Sequence, residues 1–388
     1  MQRLVALYEE ILLALDARRL VREACARLPR EPLVLALGKA AGEMYEGARD
    51  ALGDCPGVLA LKPDAPAPGG PARVYRGDHP IPDQGSLEAG EALLAAARGA
   101  RAGSTALLLV SGGGSSLAEA PIDGVTLEWL QQINTALVRS GAPIEDMNVV
   151  RKHLSRLKGG GLARALHAAG VRAARALVAV DVPVGGFPAV ASGPAAADPS
   201  TREQAIGIAL RLGLPDLPFI ETLKPGETGD FVEHTAICDM RSAALAAERR
   251  GARILEAPVH GPLDELLRKL ALAHGLVVAS GEPDIRIPAS APPGGRSQHL
   301  ALLMARVLRG EPGAVFLAAG TDGRDGATDA AGAVVTGATW DEALARGLEP
   351  ERAIAEFSST RVLEALGATL PARHTGAHAG DVFLLERA

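Results

Sequence analysis

Residues 107–121 read LLLVSGGGSSLAEAP. Four apolar residues run straight into Ser111, three consecutive glycines (Gly112, Gly113, Gly114) and two serines (Ser115, Ser116). Glycine loses more conformational freedom on folding than any other residue, so three in a row are costly. A bare backbone directly after a buried strand serves either a sharp strand–helix turn or an anion, which could approach the backbone N–H groups and the serine hydroxyls. The stretch is not a P-loop, because G-x-x-x-x-G-K-[ST] is absent, and G-x-G-x-x-G occurs nowhere in the chain. The Gly112–Ser116 loop is therefore a phosphate-binding candidate of another kind, its following helix expected to add a favourable dipole.

Five more short apolar runs accompany it: LVLALG (33–38), GVLALK (57–62), ALVAVDVP (176–183), GLVVASGEP (275–283) and AVFLAAGTDG (314–323), with the first stretch counted from 106 to 112. Between them lie helical patterns at 87–100, 127–140, 161–169, 239–250, 262–274 and 297–308. Continuous apolar runs alternating with helices predict parallel strands covered on both faces, an α/β fold. At 388 residues the chain is long enough for two such domains. The Pro- and Gly-rich stretch 210–231 breaks the rhythm, which places the boundary near residue 230, giving domains 1–230 and 231–388.

Net charge is −6, which disfavours a nucleic-acid surface. No apolar run approaches the roughly 20 residues of a membrane span, and the charged N-terminal stretch reads as an amphipathic helix rather than a signal peptide. Cys25, Cys55 and Cys238 have no metal-ligand spacing and read as buried thiols of a reducing cytoplasm.

Ligands of open parallel sheets bind at the carboxyl ends of strands, and here those ends carry polar cargo. GKAAGEM (38–44) puts Lys39 beside a helix start, where a cation is unfavourable unless an anion joins it. Only six of the 40 Lys and Arg residues are lysines, so Lys39 stands out. MNVVRKHLSRLKGGGLARAL (147–166) gathers Asn148, Arg151, Lys152, His153 and Lys158, a basic cluster suited to a carboxylate or phosphate. Asp181, Glu282 and Asp322 end other strands, and Mg²⁺ wants few carboxylates plus phosphates and water. Arg296 opens a helix in GGRSQHLALLMA (294–305).

Taken together, GKAAGEM, GDHPIPD, SGGGSS, NVVRKHLSRLKGGGLA, ASGP…DPST, SGEP, GGRSQHLAL and GTDGRDGATDAAGAVV resemble, in order and over most of the chain, the type II glycerate kinases, the glycerate 2-kinase (MOFRL) family. The resemblance implies a larger Rossmann-like domain with a mainly parallel sheet, a smaller C-terminal α/β domain and an active site in the cleft. It implies transfer of the γ-phosphoryl group of ATP to D-glycerate, giving 2-phosphoglycerate, with Mg²⁺ or another divalent cation. On that reading Lys39, Arg296 and Asp181 are the catalytic candidates and Ser111–Ser116 hold phosphate. Asn148, Arg151 and Lys152 bind glycerate, while Asp181, Glu282 and Asp322 are the metal candidates. The partner is a small molecule, with no nucleic acid and no membrane; a homo-oligomer is compatible with the sequence. The chain departs from the family pattern after DVP, where VGGFPAV replaces an acidic stretch, and near the C-terminus, where HTGAHAGDVFLL replaces a longer Asn-containing one. An NAD(P)H-dependent hydroxypyruvate reductase, a label some relatives have carried, and a non-catalytic phosphosugar-binding regulator are the alternatives. The reductase lacks a dinucleotide fingerprint here.

Overall fold

The structure is a computed structural model and describes residues 1–28, 31–182, 185–288 and 290–388. Pro183 and Val184, inside the strand expected to end at 183 and the departing stretch after it, lie outside the described residues, as does Ala289 of the loop before Arg296.

The chain forms two compact units, Ala17–Ile237 and Met1–Asp16 with Cys238–Ala388. The C-terminal border is thus close to the expected residue 230, but the expected N-terminal domain does not begin at residue 1. The first helix, Gln2–Ala14, belongs to the smaller unit, where Leu4, Leu7, Tyr8, Ile11 and Leu12 are buried. Its hydrophobic periodicity announced a buried face without saying which sheet would cover it.

The larger unit is built on strands β1 (Leu33–Leu37), β2 (Gly57–Leu61), β3 (Arg73–Arg76), β4 (Thr105–Val110), β5 (Ala173–Ala179) and β6 (Val232–Cys238), in spatial order β3-β2-β1-β4-β5-β6. The pairs β1–β2, β1–β4, β2–β3 and β4–β5 are parallel. Both faces are covered. Leu35, Leu37, Leu108 and Val110 enter one core, while the alternate residues Val34, Ala36, Leu107 and Leu109 enter the other. This is why the strands read as unbroken apolar runs.

In the smaller unit, β7 (Arg253–Val259), β8 (Gly275–Gly281), β9 (Val315–Gly320), β10 (Ala330–Thr336), β11 (Thr369–Pro371) and β12 (Asp381–Arg387) are ordered β11-β10-β9-β12-β8-β7. Only β7–β8 is a parallel pair; β12 runs antiparallel to both β8 and β9, and β10 to both β9 and β11. The parallel sheet expected of 275–283 and 314–323 is therefore corrected. An apolar run reports burial on two faces, and an antiparallel strand between two covered neighbours buries itself equally well. No helix among the described residues is long and apolar enough to cross a membrane.

Strand order reverses between β1 and β4, so the chain leaves these neighbours in opposite directions and opens a crevice at their carboxyl ends. Gly38 ends β1 there with φ +125°, and a Cβ on it would stand 2.2 Å from Ser111 Oγ. Only glycine lets the two strand ends close in this way.

Candidate active site

The two loops at the reversal are stitched together. Lys39 N–H donates to the Gly112 carbonyl (2.9 Å) and Ala40 N–H to Ser111 Oγ (3.0 Å). Ser111 is fully buried, so its hydroxyl holds the scaffold. Gly113 has φ +78°, and a Cβ there would meet Lys39 Cγ at 3.0 Å and His79 Cδ2 at 3.2 Å. The lysine stem and the imidazole therefore lie over the bare glycine. The helix that follows spans only Gly114–Leu117, too short to supply the expected dipole.

The larger unit contains a cavity of about 510 Å³. Gly112, Gly113, Ser115 and Ser116 line it together with Asn148, Arg151, Lys158, Asp181 and Ser192. Four parts of the chain far apart in sequence thus converge, and most of the expected phosphate and substrate residues meet. Arg151 Nε donates to Asn134 Oδ1 (2.8 Å), and burial pulls the Arg151 pKa down from its ordinary value. Lys158 is buried and ion-paired with Glu119, which also accepts from Ser155 Oγ (2.5 Å) and Ala120 N–H (2.9 Å). Burial pushes the Lys158 pKa down and the Glu119 carboxylate opposes it.

Lys152 does not join this set. It is buried, donates to Asp198 Oδ1 (3.2 Å) and does not line the cavity. Asp198 is held below the usual carboxylate range: burial works against ionisation, but the Ser200 hydroxyl and Lys152 outweigh it. Arg151 and Lys152 are consecutive on the helix Ile144–His153, so their side chains diverge by about 100° and cannot share a face. Lys158, in the glycine-rich turn after the helix, lines the cavity instead. Two other motif stretches are scaffold. Asp83 of GDHPIPD caps the helix Gln84–Arg98 in a reciprocal pair with Ser86, and Thr201 of DPST caps Arg202–Arg211 with Gln204.

In the smaller unit Arg296 opens the helix Arg296–Val307 and is clamped by two carboxylates, Nε to Asp381 Oδ2 (2.5 Å) and Nη2 to Glu282 Oε1 (3.0 Å). Burial alone would lower the Arg296 pKa, but Asp381 and Glu282 raise it above its ordinary value. Asp381 is fully enclosed, which raises its pKa against the pull of Arg296. Glu282, a metal candidate, is thus committed to an ion pair, and Asp322 Oδ1 accepts from Arg324 N–H (3.1 Å), closing its own turn. Among the described residues no group of three or more His, Cys, Asp or Glu side chains is placed to hold a metal ion. Sequence reasoning placed Lys158 in the basic cluster without assigning it to glycerate, and missed Ser192 as a cavity residue, Glu119 as the buried partner of Lys158 and Asp381 as the arginine clamp. The signals were there in LAEAP, ASGP and the acidic residue heading DVFLLER, but each is a single polar residue in a short apolar or small-residue stretch.

A family model described as "Domain of unknown function (DUF4147)" matches residues 3–219, and the MOFRL family model matches residues 275–381. The D-glycerate 2-kinase of Thermotoga maritima is 32% identical over 392 residues, covering 94% of this chain and 93% of that protein. The chain belongs to the glycerate kinase family. A crystal structure of a glycerate kinase from Thermotoga maritima superposes with a TM-score of 0.86 at 29% identity, covering 99% of this chain and 98% of that one. Within the same similarity range, a protein of Agrobacterium vitis with a provisional hydroxypyruvate reductase name is 32% identical over 373 residues, covering 88% of this chain and 84% of that protein.

Proposed function

We propose that this glycerate kinase family member transfers the γ-phosphoryl group of ATP to the 2-hydroxyl of D-glycerate, forming 2-phosphoglycerate and ADP. The observation that carries the reading is one cavity lined both by the glycine loop, Gly112–Gly113 with Ser115–Ser116, and by the cations Arg151 and Lys158. A phosphate group suits the first and a small carboxylate the second. Phosphoryl transfer asks a protein for positioning and charge neutralisation more than for covalent chemistry.

In this reading the glycerate oxygen forms the new bond to phosphorus as the bond to the β-phosphate oxygen breaks, and the hydroxyl proton passes to solvent water. Lys39, whose stem lies over Gly113, neutralises the transferring group. Arg151 and Lys158 hold the glycerate carboxylate and Asn148 its hydroxyl. Mg²⁺ needs only one or two protein carboxylates when nucleotide phosphates and water complete its shell. Asp181, lining the same cavity, meets that need, whereas Glu282 and Asp322 are engaged elsewhere. A divalent ion held there would neutralise the β- and γ-phosphate oxygens. In the smaller unit, Arg296 spends two N–H groups on its clamps and keeps the rest of its five donors for anionic oxygen.

The test is ADP release by purified protein with D-glycerate, L-glycerate, glycolate and D-lactate, with the phosphate position of the product read by ³¹P NMR. Release confined to D-glycerate with phosphate on oxygen 2 is expected. Release with another acid, phosphate on oxygen 3, or NAD(P)H oxidation by hydroxypyruvate without ATP would overturn the reading.

A further inference from the structure

Three polar side chains form a row in the cavity of the larger unit. Ser115 Oγ and Ser192 Oγ are 2.6 Å apart, and Ser192 Oγ lies 3.4 Å from Asn148 Oδ1. The middle member is 1% exposed and sits on an unusual backbone. Ala191 (φ 50°, ψ 27°), Ser192 (φ 56°) and Gly193 (φ 62°, ψ 55°) are all left-handed, and two of the three carry side chains. L-residues visit this region singly, not in succession, so the turn is imposed by its surroundings. Gly159 N–H donates to the Ser192 carbonyl (3.0 Å), Gly160 N–H to that of Gly193 (2.7 Å) and Leu162 N–H to that of Pro194 (3.1 Å). On the other side the Ala191 methyl packs 2.8 Å from where a Cβ on Gly114 would stand. The strain is spent on holding one hydroxyl between a residue of the phosphate loop and a residue of the basic cluster.

Two hydroxyls own two protons. With the cavity empty of anions, Ser115 donates to Ser192 and Ser192 donates to Asn148 Oδ1, so both protons are consumed within the row. An anionic oxygen at the loop draws the Ser115 proton to itself. Ser192 then turns to donate to Ser115, and Asn148 Oδ1 is left ready to accept from a hydroxyl of the second substrate. We infer that Ser192 is a positioning residue that couples phosphate occupancy at Gly112–Ser116 to glycerate binding at Asn148. The inference rests on the functional reading above for what occupies each end. Only hydrogen bonds change, and by linkage the coupling is equal in both directions.

The test measures the Kd of D-glycerate by calorimetry, alone and with saturating Mg²⁺ and the β,γ-imido analogue of ATP. In the wild-type protein the analogue tightens glycerate by about fivefold or more. Ser192→Ala and Ser192→Gly reduce that effect to within about twofold of none, since coupling near unity carries no linkage. The glycine variant also melts above the alanine variant, because it removes the left-handed strain that alanine retains. Coupling therefore follows the hydroxyl while stability follows the backbone. An uncoupled wild type, coupling retained in either variant, or coupling that ranks with melting temperature overturns the inference, and the glycine variant carries the test if the alanine one fails to fold. Ser115→Ala and Asn148→Ala separate the two failures. If neither weakens its own ligand, the functional reading falls; if both do and the Ser192 variants stay coupled, only the relay falls.

Discussion

Lys39 and Lys152 show what a single residue's neighbourhood decides. Both are lysines in an arginine-dominated chain beside glycine-rich turns, and both were candidates for an anion. Lys152 spends its charge on buried Asp198, whereas Lys39 lies along Gly113 of the phosphate loop. Adjacency in sequence suggested Arg151 and Lys152 as a pair, but helix geometry separates them; the partner seven residues after Arg151, Lys158, depended on a turn that the sequence reading did not resolve. Lys39→Arg tests the surviving assignment. An exposed lysine would accept arginine within about 0.5 kcal/mol. A lysine that neutralises a transferring phosphoryl would not, because the planar fork is broader than a point ammonium and Gly113 and His79 confine it. The expected outcome is an unchanged melting temperature, a KM for glycerate within a few-fold of wild type and a kcat lower by about 10²–10³. Steady-state kinetics with a melting curve decides it; near-full kcat returns Lys39 to the solvated surface.

Burial alone did not make an element legible: β10 and β12 are mostly buried, yet neither was expected, because AAGAVVT followed a run of turn residues and DVFLLER carries charge at both ends. The six apolar runs all became strands; β3 (Arg-Val-Tyr-Arg), β6 and β7, half-buried with polar residues at alternate or irregular positions, were missed along with β10, β11 and β12. Strand direction was not legible either, since it is fixed by connections and hydrogen-bond pairing that leave no hydropathy signal. The start of the helix Arg296–Val307 is another case. Its cap comes from a distant loop: Asp325 accepts from Ser297 N–H (3.1 Å) and Gln298 N–H (2.8 Å). In the sequence Asp325 looked like one acid in a run of turn residues. Its carboxyl is pushed up to about 6 by burial, reinforced by Asp381, although the capping N–H groups pull the other way. The native state therefore holds a proton that the unfolded chain, titrating at 3.8, has already released. Between about pH 4 and 6 this group makes stability fall as pH rises, and the loss is complete above pH 6, of the order of 3 kcal/mol at neutral pH. Asp325→Asn, which cannot ionise, is expected to flatten that part of the pH dependence of thermal unfolding in the smaller unit. An identical slope in the variant would show that Asp325 is not its source.

Over the whole molecule, the ordered motifs that resemble the glycerate kinases implied two α/β domains, but they said nothing about the helix Gln2–Ala14. Tyr8 of that helix donates its hydroxyl to the Gly320 carbonyl at the end of β9 (2.7 Å), and burial pushes its pKa well above the ordinary tyrosine value. Leu4 and Ile11 are completely buried beside it. Burying each large apolar side chain contributes about 1.5–3 kcal/mol, so losing five of them rivals the roughly 5–15 kcal/mol that holds a typical domain folded. Deleting residues 1–14 is expected to abolish the calorimetric transition of the smaller unit and leave that of the larger unit in place. Two unaltered transitions would mean that the helix is dispensable.

The same helix sets a problem of timing. A ribosome delivers Gln2–Ala14 more than 350 residues ahead of β12, which shares its unit. At about 5–20 residues per second the helix waits for about 20–70 s with its leucines uncovered, while Ala17–Ile237 emerges and folds. During each round of translation it is an apolar segment open to chaperones or to the wrong partner, and a slow codon between the two would lengthen that exposure.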